Sequence, residues 1–220
     1  MKIFKFGGAS VKDADGVRNI LCVLKHTGFK DTFIVVSAMG KTTNELENVV
    51  QSYFENKEQF PKKFEAVRSN HHKIIEGLFT DDKMLVSEKI DALFNEALNF
   101  LSDNAVSNYS LVYDQVVSIG ELASSTIISY FMKHHDIENT WLDARKCIKT
   151  DTYYRDANLD WEKTKTEILK MVKGKSILIS QGFIGSAPNG MTTTLGREGS
   201  DYSAAIFAYA LVADSVTIWK

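Results

Sequence analysis

The segment Thr32–Ser37 reads T-F-I-V-V-S, and the segment Ser176–Gln181 reads S-I-L-I-S-Q. Continuous apolar and β-branched runs of this kind are typical of strands that are buried on both faces of a parallel sheet. We expect further strands at Lys2–Phe6, Thr140–Leu142 and Ser215–Trp219, with helical segments between the strands. Strands that alternate with helices indicate an α/β protein with a mostly parallel central sheet.

The helices are predicted from apolar residues at helical spacing. The first contains Val17, Ile20 and Leu24, follows a capping box formed by Ser10 and Asp13, and ends at Gly28. Pro188-Asn189-Gly190 predicts a β-hairpin, because Asn-Gly is a strong turn signal. The other helices are expected from near Thr43, as two helices within 60–103 that break near 80–83, at 112–119 and 122–132 on either side of Gly120, and at 200–211.

The composition is that of an ordinary globular protein: 220 residues, 44% hydrophobic and 25% charged, with a formal net charge of −2. It excludes a disordered chain, and the near-neutral balance predicts neither a nucleic-acid partner nor a membrane partner. Since the sequence has no signal peptide and no apolar run of about 18 residues, we expect a cytoplasmic protein. Cys22 and Cys147 are then expected to be reduced, buried thiols.

Lys5 is a charged residue inside an otherwise apolar strand, and Gly7-Gly8 follow directly. A buried charge is costly without a partner, so the sequence predicts an acidic partner for Lys5. Paired glycines before a helix allow close approach to a phosphate, with backbone N–H groups as donors. A tight strand-to-helix turn with no ligand explains the glycines equally well.

The segment that follows Thr32–Ser37 contains Gly40-Lys41-Thr42, which imitates the end of a phosphate-binding P-loop. That pattern requires a glycine where Val35 stands, so a P-loop is not predicted. The hydroxyl groups of Ser37 and Thr43 remain candidates for ligand hydrogen bonds, and helix capping is their alternative role.

Arg197 lies between glycines, and Ser200-Asp201 open an apolar helix. A guanidinium in such a turn suits bidentate binding of a carboxylate. Asp201 is either a first-turn acid that the helix dipole favours or the partner of Lys5. Taken alone, Glu121 would be an ordinary solvated acid. The pairs His71-His72 and His134-His135 lack metal-ligand spacing and are expected at the surface, so no metal site is predicted.

Together these segments resemble the aspartate kinases of the amino-acid kinase superfamily. The resemblance rests on six blocks in order: K-F-G-G-A-S-V from Lys5, V-V-S-A-M-G-K-T-T-N from Val35, S-I-G-E from Ser118, Q-G-F-I-G from Gln181, T-T-L-G-R-E-G-S-D-Y-S-A-A from Thr193 and V-T-I-W-K from Val216. It implies a three-layer sandwich around the sheet. Two residues depart from the family pattern, Ala9 in place of threonine and Glu198 in place of glycine.

The resemblance also implies a reaction, transfer of the γ-phosphoryl group of ATP to the side-chain carboxylate of L-aspartate, the first step toward lysine, threonine and methionine. Mg²⁺ would be carried by the nucleotide. The implied catalytic residues are Lys5 and Asp201, with Asp201 orienting Lys5. The implied phosphate-binding residues are Lys5, Gly7, Gly8 and Ser200. Arg197 would bind the α-carboxylate of aspartate and Glu121 its ammonium group, and the aspartate pocket would be lined by Ser37, Thr43 and Phe183.

Residues 1–220 would then be one incomplete catalytic domain, because the sequence stops at Lys220 directly after a strand. The resemblance implies a nucleotide-binding end and regulatory ACT domains beyond Lys220, and a homo-oligomer in the full-length protein. The alternatives are another kinase of the superfamily, acting on glutamate, acetylglutamate, carbamate or UMP, and an amino-acid-binding module without activity.

Overall fold

A computed structural model describes residues 1–103 and 107–220. A five-stranded, fully parallel sheet has the order β3-β4-β2-β1-β7, and an antiparallel hairpin joins β5 to β6. The strands are β1 (Lys2–Phe6), β2 (Thr32–Val36), β3 (Thr140–Leu142), β4 (Ile177–Gln181), β5 (Ile184–Ser186), β6 (Thr192–Thr194) and β7 (Ser215–Trp219).

Eight helices connect the strands in the described part of the chain, with short 3₁₀ turns at Gly8–Val11 and Ala144–Lys146. They are α1 (Ala14–Thr27), α2 (Thr42–Glu55), α3 (Phe60–Leu78), α4 (Lys83–Asp103), α5 (Tyr109–Val117), α6 (Ile119–His134), α7 (Trp161–Val172) and α8 (Gly199–Leu211). None of the described helices is both long enough and apolar enough to span a bilayer.

The sheet separates two hydrophobic cores. Phe4 and Phe6 of β1 face the larger core, which contains apolar residues of α1 to α6. Ile3 of β1 and Phe33 of β2 face the opposite core, where Ile168 of α7 and Phe207 of α8 pack. Because successive strand residues point to opposite faces, the apolar runs fill both cores at once. The α/β class, the mostly parallel sheet and its covering by helices on two sides are confirmed.

The hairpin is confirmed, and the strands at Thr140–Leu142 and Ser215–Trp219 have the predicted bounds. The helix break was placed wrongly: it falls at Ser118, and Gly120 lies within α6. A Cβ atom at Gly120 would lie 2.9 Å from Cβ of Ala38. The glycine therefore allows α6 to pack closely on the segment after β2, and it does not end a helix.

Three further predictions were wrong, and one helix was missed. Ser10 does not cap α1, because 8–11 form a 3₁₀ turn and the Asp13 side chain accepts from the N–H of Gly16 (2.8 Å). Cys22 is exposed, whereas Cys147 is buried as expected. His71 is buried, with Nδ1 2.8 Å from the carbonyl oxygen of Val67. Helix α7 was not predicted at all.

Candidate functional site

A cavity of about 530 Å³ opens at the carboxyl ends of β1 and β2, beside the N-terminus of α8. Ligands of open parallel sheets collect at this edge. The walls include nine of the ten residues predicted for the site: Lys5, Gly8, Ser37, Thr43, Glu121, Phe183, Arg197, Ser200 and Asp201. The tenth, Gly7, donates its N–H to the carbonyl oxygen of Trp219 (2.8 Å). That N–H is already used, so Gly8 is the better placed of the two glycines.

The charge of Lys5 is balanced inside the cavity. Its side chain is buried, and Nζ lies 2.6 Å from Oδ1 of Asp201 in the first turn of α8. Nζ of Lys220 lies 3.0 Å from Oδ2 of the same carboxylate. Partial burial acts to raise the pKa of Asp201, but the two ammonium groups outweigh it and hold this pKa below its usual range. The acidic partner expected for Lys5 is therefore Asp201.

Glu121 is a buried acid at the cavity wall, not a solvated one. Only 2% of it is exposed, and Oε1 accepts a long hydrogen bond from the N–H of Ala38 (3.4 Å). Oε2 has no hydrogen-bond partner in the described part of the chain. Burial raises the pKa of Glu121 to about 8, although backbone N–H groups act in the opposite direction. A buried acceptor without a partner suits a cationic ligand group.

The turn that leads into α8 places Arg197 at the cavity. Gly196 has φ 72° and Glu198 has φ 56°, both in the left-handed region. Gly199 packs against Phe183, since a Cβ atom there would lie 2.6 Å from Cδ2 of the ring. Arg197 is exposed and forms no ion pair with any described residue. Its guanidinium is therefore available to an anionic ligand.

Sequence reasoning missed four residues at or beside the cavity: Tyr113, Asp114, Arg155 and Lys220. Asp114 is fully buried and accepts from N and Oγ1 of Thr194 (3.0 and 2.7 Å). Burial raises the pKa of Asp114 to about 6 against these hydrogen bonds. Asp114 stands in the mostly apolar run V-Y-D-Q-V-V. Like Lys5 in its apolar strand, a charged residue in such a run indicates a buried polar site. No sequence signal pointed to Arg155.

No cluster of three His, Cys, Asp or Glu side chains that could hold a metal ion occurs within residues 1–103 and 107–220. Asp201, the carboxylate next to the candidate phosphate-binding residue Lys5, is already paired with Lys5 and Lys220. The cavity therefore combines a buried lysine, a glycine turn and a helix N-terminus with a buried acid and an exposed guanidinium.

The fold and the cavity are those of a known protein family. The model of the Amino acid kinase family matches residues 1–220, and the chain belongs to that family. Among curated proteins it is similar to lysine-sensitive aspartokinase 3 of Escherichia coli K12, with 33% identity over 99% of this chain and 48% of that protein. It is also 29% identical to bifunctional aspartokinase/homoserine dehydrogenase 2 of Arabidopsis thaliana, over 99% of this chain and 24% of that protein.

Solved structures agree. E. coli aspartokinase III in complex with aspartate and ADP has a TM-score of 0.87 and 31% identity, covering 100% of this chain and 48% of that one. The same enzyme in complex with lysine and aspartate gives a TM-score of 0.88, covering 49% of that chain. The chain thus spans about half the length of its E. coli relative, and its resemblance to aspartate kinases is confirmed.

Proposed function

We propose that this chain forms the aspartate- and phosphate-binding part of an aspartate kinase. The reaction transfers the γ-phosphoryl group of ATP to the side-chain carboxylate of L-aspartate and forms 4-phospho-L-aspartate. The observation that carries the proposal is the unpartnered, buried Oε2 of Glu121 in a cavity that Arg197 also lines. An acid and a guanidinium in one cavity match the ammonium and α-carboxylate groups of an amino acid.

In this proposal Arg197 binds the α-carboxylate of aspartate and Glu121 binds its ammonium group. Ser37, Thr43 and Phe183 line the rest of the aspartate pocket. Burial favours the protonated form of Glu121. The positive charge of the incoming ammonium group favours the ionised carboxylate, so ligand binding lowers the pKa of Glu121.

Lys5 neutralises charge on the transferring phosphoryl group, and Asp201 holds its ammonium group in position at 2.6 Å. Gly8 and Ser200 lie next to the phosphates as backbone and hydroxyl donors, and Gly7, whose N–H is bonded to Trp219, shapes the turn that presents Gly8. The side-chain carboxylate of free aspartate has a pKa of about 3.9 and is already ionised at neutral pH, so no general base is needed. Catalysis then depends on positioning and charge neutralisation.

Mg²⁺ would arrive bound to the phosphates of ATP and neutralise part of their charge. A relative supports aspartate and ATP as the substrates, since the structure of E. coli aspartokinase III has been solved in complex with aspartate and ADP. We further propose that the full-length protein is a cytoplasmic homo-oligomer. It would act in amino-acid biosynthesis, on the route to lysine, threonine and methionine. The nucleotide-binding end and regulatory ACT domains would lie in a longer form of the polypeptide.

The test is formation of acyl phosphate from L-aspartate with ATP and Mg²⁺, trapped as the hydroxamate with hydroxylamine. It is run on the 220 residues and on the longest form of the polypeptide that the gene encodes. Glutamate, acetylglutamate, carbamate and UMP are parallel substrates, and ADP formation is measured for each, because UDP formed from UMP gives no hydroxamate. Hydroxamate from aspartate alone supports the proposal. A folded protein that binds aspartate but yields no product is an inactive binding module, and preference for another acceptor assigns another kinase.

A further inference from the structure

Arg155 lies in the cavity wall, in the loop between β3 and α7, and its backbone is in the left-handed region at φ 73°. Glycine and asparagine adopt this conformation readily, whereas other residues do so at an energetic cost. Strained residues of this kind cluster at ligand-binding sites. The strained backbone of Arg155 therefore indicates that its side chain has a role in the cavity.

The backbone of Arg155 is held rigidly. Its N–H donates to both carboxylate oxygens of Asp114 (3.2 and 3.0 Å). The same carboxylate accepts two hydrogen bonds from Thr194, the last residue of β6, which leads directly to the turn that contains Arg197. One buried acid thus fixes the backbone that carries Arg155 and the strand that precedes Arg197.

The guanidinium of Arg155 contacts two aromatic rings and one carboxylate. Its Cζ lies 4.4 Å from the ring centroid of Tyr113, which also lines the cavity, and 5.6 Å from that of Tyr109. Its ion pair with Glu47 is 3.4 Å long, and the two side chains are 43% and 44% exposed. Exposed ion pairs contribute little to stability, so the carboxylate of a ligand can replace Glu47 at low cost.

The contacts of Arg155 place it next to the proposed aspartate pocket. Glu47 and Thr43 are one helical turn apart on the same face of α2, and Thr43 belongs to the proposed aspartate pocket. Lys5 and Lys220, by contrast, are both paired with Asp201 at α8. Arg197 and Arg155 are therefore the two guanidinium groups of the cavity that an amino-acid carboxylate can engage.

We propose that Arg155 is a second guanidinium of the amino-acid subsite: it exchanges Glu47 for the substrate and binds, together with Arg197, the carboxylate that is not phosphorylated. This inference rests on the proposed function and adds a residue to it. Arg155 then contributes to substrate affinity and leaves the phosphoryl-transfer step largely unaffected. Glu47 competes with the substrate for the same guanidinium.

The experiment compares Arg155→Gly, Arg155→Lys and Glu47→Gln with the wild type. Glycine removes the charge and also relieves the left-handed backbone, so unfolding of this variant is not expected to confuse the result. Kd for L-aspartate is measured by calorimetry without nucleotide, KM and kcat by the hydroxamate assay, and folding by thermal unfolding. The Kd measurement does not depend on activity.

We expect Arg155→Gly to raise both Kd and KM for aspartate about tenfold, the usual effect of losing a hydrogen bond between charged groups, and to change kcat little. Arg155→Lys recovers part of the affinity, and Glu47→Gln lowers Kd about twofold because the competitor is gone. The difference between wild type and Arg155→Gly shrinks in high salt.

A folded Arg155→Gly variant with the Kd of the wild type overturns the inference while the proposed function stands. A fall in kcat at unchanged KM also overturns it, because Arg155 then acts on the phosphoryl side. A wild type that binds aspartate without forming product overturns the kinase proposal, and the Kd values still decide the role of Arg155. Absence of aspartate binding in the wild type overturns both.

Discussion

Lys5 of β1 and Asp201 of α8 lie at opposite ends of the sequence, yet their side chains are 2.6 Å apart at the edge of the sheet. Parallel pairing of β1 with β7, which follows α8, brings them together. Lys5, the proposed phosphate-binding residue, is therefore positioned by α8 and β7. Removing either partner tests a different part of the proposed mechanism.

Lys5→Ala is expected to lower kcat for hydroxamate formation by about 10²–10³, since it removes charge stabilisation of the transferring group. Asp201→Asn should have a smaller effect, because Lys5 remains but loses its orienting partner. The comparison is made at saturating aspartate and ATP, with thermal unfolding to verify folding. Equal kcat values for Lys5→Ala and wild type would remove Lys5 from the mechanism.

Arg197→Ala is expected to raise KM for aspartate about tenfold or more and to change kcat much less. The α-carboxylate is bound in both the ground state and the transition state, so its loss reduces affinity more than rate. Arg18→Ala on α1 is the matched control, because Arg18 is paired with Asp15 outside the cavity. An unchanged KM in Arg197→Ala contradicts the assignment.

The buried carboxyl of Glu121 should make aspartate binding pH-dependent. With a pKa of about 8, the group is largely protonated at pH 6 and must ionise to bind an ammonium group. We expect affinity for aspartate to rise about tenfold or more between pH 6 and 8. In Glu121→Gln the affinity should be low and independent of pH over this range. Calorimetry at several pH values gives both curves.

The same group should affect folding stability in the opposite direction. Its pKa is raised on folding, so its stabilising contribution is complete below about pH 4.5 and is lost as pH rises toward 8. Glu121→Gln, which cannot ionise, should therefore become more stable relative to wild type across this window. Denaturant unfolding at pH 5 and pH 8 measures the change. A constant stability difference would show that Glu121 ionises without penalty.

Glu198→Gly is expected to stabilise the protein by about 1 kcal/mol, because φ 56° suits glycine and strains glutamate. It also removes a negative charge next to Arg197, so KM for aspartate should fall. Glu198→Gln separates the two effects, since it removes the charge and keeps the strained backbone. If neither variant changes KM, Glu198 does not face the bound substrate.

Gly120→Ala is expected to destabilise the protein by about 1–3 kcal/mol, because the new Cβ atom would lie 2.9 Å from Cβ of Ala38. Displacement of α6 would also move Glu121, so affinity for aspartate should fall in parallel. The double variant Ala38→Gly, Gly120→Ala removes the nearest obstacle and should recover part of both losses. Without such recovery, the close packing at this point is not the cause.

The strands and the charged residue Lys5 could be predicted from the sequence because their signals are local. An unbroken apolar run needs burial on both faces, and a lysine inside such a run needs an acid. Helix α7 was missed although Thr164, Ile168 and Val172 lie on one buried face at helical spacing. That signal was present but sparse among charged residues.

The burial of Glu121 and the position of Arg155 could not be predicted from local pattern. Glu121 is buried because α6 packs against the segment after β2, a contact between distant parts of the chain. Arg155 reaches the cavity because Asp114 holds its backbone in a left-handed conformation. Neither cause leaves a trace in the residues that surround these positions in the sequence.

The group of Lys5, Asp201 and Lys220 has two positive charges and one negative charge, so it keeps one positive charge without a counterion in the group. A phosphate that binds there adds the missing negative charge and need not displace Asp201. In the proposed reaction the ion pair can therefore persist throughout, and the buried lysine need not reorganise when a nucleotide binds or leaves.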